Sequence, residues 1–172
     1  RPDRMLRVIE KFHVTSFCAP PTVYRFMIRE DLSRYDLSHL EYCTTAGEAL
    51  NPSVFKRWQE KTGLMIYEAY GQTETTMVFG TYPYIEPRPG AMGRPNPQFK
   101  VDVVNAEGRP CPPGEHGRLV IKVGEGRPLG LFKEYYRNPE LNNETHEDGY
   151  YYTGDIVYYD EEGYYWFVAR AD

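Results

Sequence analysis

The hydrophobic period of this chain changes at a proline-rich stretch, and that change confines it to a composite α/β fold. Pro83, Pro87, Pro89, Pro95 and Pro97, mixed with Gly90 and Gly93, interrupt regular structure across residues 83–97. Upstream, helical and strand patterns alternate. Residues 3–12 place Met5, Val8, Ile9 and Phe12 on one helical face, and residues 22–30 repeat the spacing with Val23, Tyr24, Met27 and Ile28. Short β-branched and aromatic runs at 13–19, 40–45 and 64–70 read as strands. Between the last two, Asn51 can cap a helix, Pro52 suits its first turn, and Gly63 ends it. Strand, helix and strand in so few residues form a βαβ unit with parallel strands.

Downstream the period becomes two. Phe99, Val101 and Val103 alternate with Lys100 and Asp102, and residues 118–123, 150–152, 156–159 and 164–168 read as further strands. Asp160-Glu161-Glu162-Gly163 is a hairpin turn. The expected organisation is an α/β portion with a partial parallel βαβ sheet over 1–82, a connection over 83–97, and a β-rich subdomain, a small distorted barrel, over 98–172.

The 172 residues hold 20 Lys plus Arg against 25 Asp plus Glu, an acidic balance that disfavours nucleic acid and membrane surfaces. No apolar run approaches the roughly 18 residues of a membrane span, so membrane insertion is not expected. Nothing resembles a signal peptide, and a start at Arg1 suggests a piece of a longer chain. Cys18, Cys43 and Cys111 fit neither a disulfide framework nor a zinc site. They read as reduced thiols of a cytoplasmic protein, with Cys18 and Cys43 buried on strands.

Ligands of open α/β sheets sit outside the carboxyl ends of parallel strands. Two such ends occur here, Thr44-Thr45-Ala46-Gly47-Glu48-Ala49 and Tyr67-Glu68-Ala69-Tyr70-Gly71-Gln72-Thr73-Glu74-Thr75-Thr76. The polar run from Gln72 supplies donors, acceptors and a carboxylate suited to phosphates and a hard metal ion, although a capped polar loop has the same composition. Near the end, Thr153-Gly154-Asp155 reads as a glycine-freed turn whose carboxylate could accept from a ribose diol. Arg170-Ala171-Asp172 follows.

GEAL at 47–50, YGQTE at 70–74, TGD at 153–155 and RAD at 170–172, in this order and at these separations, resemble the adenylate-forming superfamily. Residues 127–139 (RPLGLFKEYYRNP) resemble its acetyl-CoA and medium-chain acyl-CoA synthetase branch. The resemblance implies a fragment of the large N-terminal domain of a ligase. Such an enzyme activates a carboxylic acid with ATP and Mg²⁺ to an acyl-adenylate and pyrophosphate, then passes the acyl group to the thiol of CoA with release of AMP. Gly47, Glu48 and Ala49 would lie along the adenine. Glu68, Ala69, Tyr70, Gly71, Gln72 and Thr73 would wrap the adenine and α-phosphate, with Thr73 on the phosphate and Glu74 holding Mg²⁺. Asp155 and Arg170 would reach the ribose, and Asp172 would be the hinge of a C-terminal lobe.

In the same resemblance Gly71 faces the acyl pocket, where acetate-specific relatives carry tryptophan. Glycine would favour a medium-chain or aromatic acid, unless it is there only for its backbone conformation. Ala169 and Thr76 depart from the usual glycines without removing a ligand-bearing side chain. No Ser/Thr/Gly-rich phosphate loop ending in lysine occurs in these residues, and the lobe carrying the adenylation lysine would follow Asp172. The 172 residues alone are therefore not expected to make acyl-CoA. A carrier-protein thiol as acceptor, or a non-catalytic nucleotide-binding module, would use the same residues. A tyrosine-rich carbohydrate-binding domain would leave YGQTE and TGD unexplained.

Overall fold

The computed structural model describes residues 1–124 and 126–171. The chain separates into two compact units, one of residues 1–69 with 81–91, the other of residues 70–80 with the described residues from Met92 onward. The proline-rich stretch contributes its first part to one unit and its second part to the other.

In the first unit the order is α1 (Pro2–Lys11), β1 (Ser16–Cys18), α2 (Pro21–Met27), β2 (Tyr42–Ala46), α3 (Pro52–Thr62) and β3 (Ile66–Gly71), whose last two residues pass into the second unit. β1, β2 and β3 pair in parallel, with Cys43 opposite Ile66 and Ala46 opposite Ala69. α3 forms where its end signals stand. The Asn51 side chain accepts from the Ser53 N–H, Pro52 opens the first turn, and Gly63 closes the helix at φ 74°. Its Val54 and Trp58 face the core, where the Trp58 ring meets Tyr24 edge-on at 5.0 Å. The Tyr24 hydroxyl donates to the Phe17 and Thr44 carbonyls, tying α2 to β1 and β2.

Two readings of this half change. The buried side of α1 is Leu6 and Ile9, while Val8 and Phe12 are exposed, because the side of the helix turned to the core is rotated by one residue from the one the spacing suggested. Cys18 is exposed, since among the described residues β1 pairs with β2 alone and turns Ser16 and Cys18 outward; Cys43, on the central strand, is buried.

In the second unit, β4 (Met77–Gly80) pairs antiparallel with β5 (Ala91–Pro95). β6 (Val101–Val104), β7 (Gly117–Lys122), β9 (Tyr150–Tyr159) and β10 (Tyr165–Arg170) form an antiparallel sheet in the order β10-β9-β7-β6. α4 (Pro139–Thr145) and the two-residue β8 (His146–Glu147) precede β9, on which β8 pairs. This unit has its own core, including Val78, Phe79, Leu119, Ile121, Tyr151 and Val157. The β9–β10 hairpin turns at Asp160–Gly163 as the residues dictate. The Asp160 carboxylate accepts from the N–H groups of Glu162 and Tyr164, and Gly163 takes φ 80°.

Thr153-Gly154-Asp155 is not a turn between two strands. β9 runs unbroken through it, and the irregularity is absorbed as a bulge: Val120 pairs with Tyr152 but Arg118 with Ile156. Gly154, at φ 77°, supplies the left-handed residue the bulge requires. A bulge re-aims the side chain that follows it, here Asp155.

Candidate functional site

In the first unit, the level carboxyl ends of β2 and β3 present an exposed loop, Gly47, Glu48 and Ala49. The Glu48 carboxylate accepts from the Thr22 hydroxyl at 2.8 Å. Glu68, one strand over and buried beside Ala69, serves the loop from inside. Its Oε1 accepts from the Leu50 N–H at 3.0 Å and its Oε2 from the Gly90 N–H at 2.8 Å. Its own carbonyl accepts from the Thr81 N–H. One carboxylate thus braces two otherwise separate backbone segments.

Burial pushes the Glu68 carboxyl up to about 7, against the two N–H bonds that pull it down. A folded-state value above the unfolded one means that stability is fully present below pH 4.5 and is lost as pH rises through 7. The shift corresponds to about 3 kcal/mol. Urea midpoints of the full-length protein are therefore expected to fall between pH 5 and 8. Glu68→Gln, which cannot ionise, should flatten that slope; an equal slope in both proteins would place the titration elsewhere.

In the second unit four of the sequence-predicted residues converge. Asp155 is 3% exposed. Its Oδ1 accepts from Arg170 Nη1 at 3.0 Å, and its Oδ2 accepts from Gln72 Nε2 at 3.0 Å and from the Tyr70 hydroxyl. Gln72 Nε2 and Arg170 Nη1 also donate to the Thr153 carbonyl, and the Thr153 hydroxyl donates across the bulge to the Leu119 carbonyl. Gln72 Oε1 accepts from the Tyr151 hydroxyl at 3.3 Å. Burial, and then the adjoining Asp155 carboxylate, raise the Tyr70 phenol, so it remains a donor at neutral pH. Gly154 makes room: a Cβ there would lie 2.8 Å from Arg170 Nη2.

The YGQTE loop is folded by Thr75, whose hydroxyl accepts from the Gln72 N–H and donates to the Thr76 carbonyl. Thr73 is exposed on this loop, and Glu74 is half-buried with its Oε1 accepting from the Tyr135 hydroxyl at 2.8 Å. The direction a Cβ would take from Gly71 is filled by the Thr76 carbonyl oxygen, 2.3 Å away. Close backbone approach is thus a requirement this position places on glycine. Asp172 lies outside the described residues. Among the described residues no group of three or more His, Cys, Asp or Glu is arranged to hold a metal. Sequence reasoning missed Tyr135, Thr75 and Gly90 as partners. Tyr135 lay in the branch-like segment 127–139, and only its separation of 61 residues from Glu74 hid the pairing.

Parallel strands with polar, glycine-bearing loops at their carboxyl ends place the chain among α/β proteins that take ligands at those ends. The chain belongs to the AMP-binding enzyme family, whose family model matches residues 1–136. It is 44% identical over 171 residues to the mitochondrial acyl-coenzyme A synthetase ACSM3 of Homo sapiens, covering 99% of this chain and 29% of that protein. It is also 44% identical over 170 residues to 4-hydroxybutyrate–CoA ligase 1 of Metallosphaera sedula, covering 98% of this chain and 30% of the relative. The anthranilate CoA ligase AuaEII, solved with anthranoyl-AMP, superposes with a TM-score of 0.90 at 31% identity, covering 99% of this chain and 32% of that one. The chain therefore spans about 29% of the length of the ACSM3 relatives.

These relatives overturn the cytoplasmic assignment. The human ACSM3 and its counterparts in Pongo abelii, Rattus norvegicus and Mus musculus are mitochondrial proteins. Unpaired cysteines argue against a disulfide framework, but they do not single out the cytosol.

Proposed function

We propose that this chain is a nucleotide-binding segment of an AMP-forming acyl-CoA synthetase, which condenses a carboxylic acid with ATP and transfers the acyl group to CoA. The observation that carries the reading is the buried Asp155 carboxylate, oriented by Tyr70, Gln72 and Arg170 on a bulge, within a chain of the AMP-binding family. In that reading Asp155 takes the ribose hydroxyls with Arg170 beside it, and Thr73 donates to the α-phosphate. Gly47, Glu48 and Ala49 line adenine, while Glu68 and Ala69 support that loop. Tyr70, Gly71 and Gln72 shape the loop that carries Thr73.

Glu74 suits Mg²⁺. One carboxylate oxygen is engaged by Tyr135, the other has no hydrogen-bond partner among the described residues, and Mg²⁺ is commonly held by one or two carboxylates plus substrate phosphates. Bound there, the ion would neutralise phosphate charge as an anionic carboxylate approaches the α-phosphorus. The chain's own residues fix the nucleotide and exclude misorientation, a proximity contribution. The acid is proposed to be larger than acetate, medium-chain or aromatic, in keeping with relatives named for 4-hydroxybutyrate and anthranilate.

Carboxylate-dependent ATP–pyrophosphate exchange by the full-length protein, across acids from acetate to decanoate and benzoate, tests this. Exchange peaking at medium-chain or aromatic acids is expected. Exchange with acetate alone would reject the acid class, and no exchange with any acid would reject the synthetase reading in favour of a non-catalytic nucleotide module.

A further inference from the structure

Glu74 is held at both ends by one short segment. Its carbonyl accepts from the Phe132 N–H at 2.6 Å, and its Oε1 accepts from the Tyr135 hydroxyl at 2.8 Å. Tyr135 is in turn fixed by a two-point clamp: its N–H donates to Asn142 Oδ1 at 2.7 Å, and its carbonyl accepts from Asn142 Nδ2 at 3.1 Å. Asn142 belongs to α4, whose first turn is capped by the Asn138 side chain. The Phe132 ring packs on Tyr135 at 4.7 Å and on Tyr151 at 5.6 Å between centroids. The phenol hydroxyl is therefore placed by α4 and an aromatic contact, not by chance on a mobile loop.

We propose that Tyr135, clamped by Asn142, is a positioning residue that aims the Glu74 carboxylate at the metal–phosphate group of the bound nucleotide. The proposal rests on the reading of Glu74 as the Mg²⁺ carboxylate. A glutamate has three side-chain torsions, and a metal ligand must present one oxygen in one direction. The hydrogen bond from Tyr135 occupies Oε1 and leaves Oε2 to the ion. A neutral donor orients the carboxylate without cancelling its charge, as an arginine or lysine in the same place would. Hydrogen-bond partners of ligating carboxylates commonly change metal affinity by about 10- to 100-fold when removed.

The test uses the full-length protein with a non-hydrolysable ATP analogue, titrated with Mn²⁺ and read by the electron paramagnetic resonance of the free ion. Tyr135→Phe removes only the hydroxyl. It should weaken Mn²⁺ by about 10-fold while the analogue binds as in the wild type when metal is chelated. Asn142→Ala keeps the phenol but frees it, and should weaken Mn²⁺ in the same direction by a smaller factor. The apparent Mg²⁺ constant for exchange should rise with the rate at saturating Mg²⁺ held within about twofold.

Equal Mn²⁺ affinity in Tyr135→Phe and wild type overturns the proposal, as does a wild type that binds no Mn²⁺ with the analogue. A fall in thermal midpoint with unchanged Mn²⁺ affinity also overturns it, because the hydrogen bond would then be purely structural. Carboxylate-dependent exchange reports on the synthetase reading separately. Exchange with unaltered Mn²⁺ affinity rejects Tyr135 alone, and weakened Mn²⁺ without exchange rejects the synthetase reading alone.

Discussion

Alanine at position 71 is expected to destabilise the full-length protein by about 3 kcal/mol or more and to abolish carboxylate-dependent exchange. The added Cβ would sit 2.3 Å from the Thr76 carbonyl oxygen, 3.1 Å from its carbon and 3.4 Å from Met77 Cα, all backbone atoms. Backbone cannot swing aside as a flexible side chain would. The Thr76 carbonyl is also held by the Thr75 hydroxyl, which braces the Gln72–Thr75 turn. Relief would therefore require the whole YGQTE loop to move, and Gln72 and Glu74 would leave their partners with it. Thermal melts and exchange assays on Gly71→Ala and Gly71→Trp separate two accounts of this glycine. If it opens an acyl pocket, the tryptophan variant stays folded and prefers acetate. If close approach is its reason, both variants lose stability and neither gains acetate activity. A stable, acetate-selective Gly71→Trp would show that the Thr76 carbonyl yields and that the close contact does not decide the residue.

Local signals in the sequence describe local structure well here, and fail where distant segments meet. α3 is legible because Asn51, Pro52 and Gly63 each meet a backbone requirement of a helix end. The Asp160–Gly163 turn is legible for the same reason, one carboxylate serving two N–H groups and one glycine taking positive φ. The TGD segment defeats that logic. A glycine at φ 77° is needed both in a turn and in a bulge, and only the pairing of β9 with β7 and β10 decides between them. The buried side of α1 is not legible in the same way, because Met5, Val8, Ile9 and Phe12 have helical spacing whichever side meets the core.

The site divides in the same way. Tyr70, Gln72, Asp155 and Arg170 could be named from their strings, yet not joined, since Tyr70 and Asp155 are 85 residues apart. Glu68 enters the site only through the family resemblance, which sets it along the adenine and α-phosphate. Its hydrogen-bond partners in the structure are the N–H groups of Leu50 and Gly90, backbone donors that no side-chain pattern announces. Tyr135 lay within a segment noted for its likeness to one enzyme branch, but a hydroxyl meeting Glu74 across 61 residues is a product of tertiary packing alone.

Asp155→Asn is the sharpest test of the nucleotide reading, because it changes charge and lone pairs while nearly preserving shape. The carboxylate now accepts from Tyr70, Gln72 and Arg170. An amide has one acceptor oxygen, and its NH₂ would face donors on the other side. Keeping the oxygen toward Tyr70 and Gln72 sets the NH₂ against Arg170 Nη1, which retains the Thr153 carbonyl, while the opposite orientation leaves the Tyr70 hydroxyl unpaired, at about 1–3 kcal/mol. The Arg170 contact adds less, since its side chain is 51% exposed and water screens it. A thermal midpoint lowered by several degrees is thus expected whether or not a nucleotide binds.

The ligand adds a second and separable loss. Hydrogen bonds from two ribose hydroxyls to a charged acceptor are each worth about 1.5–3 kcal/mol. Losing them should cut kcat/KM for ATP by about 100-fold or more. Tyr70→Phe supplies the control, removing one donor from the same carboxylate while leaving its charge and its Gln72 and Arg170 partners in place. It should lower stability comparably and kcat/KM for ATP by less than about tenfold. If the two variants lose the same activity at the same loss of stability, Asp155 is a structural knot of the bulge and the ribose assignment fails. A gap of tenfold or more at matched stability leaves the carboxylate charge itself as the group that nucleotide binding consumes.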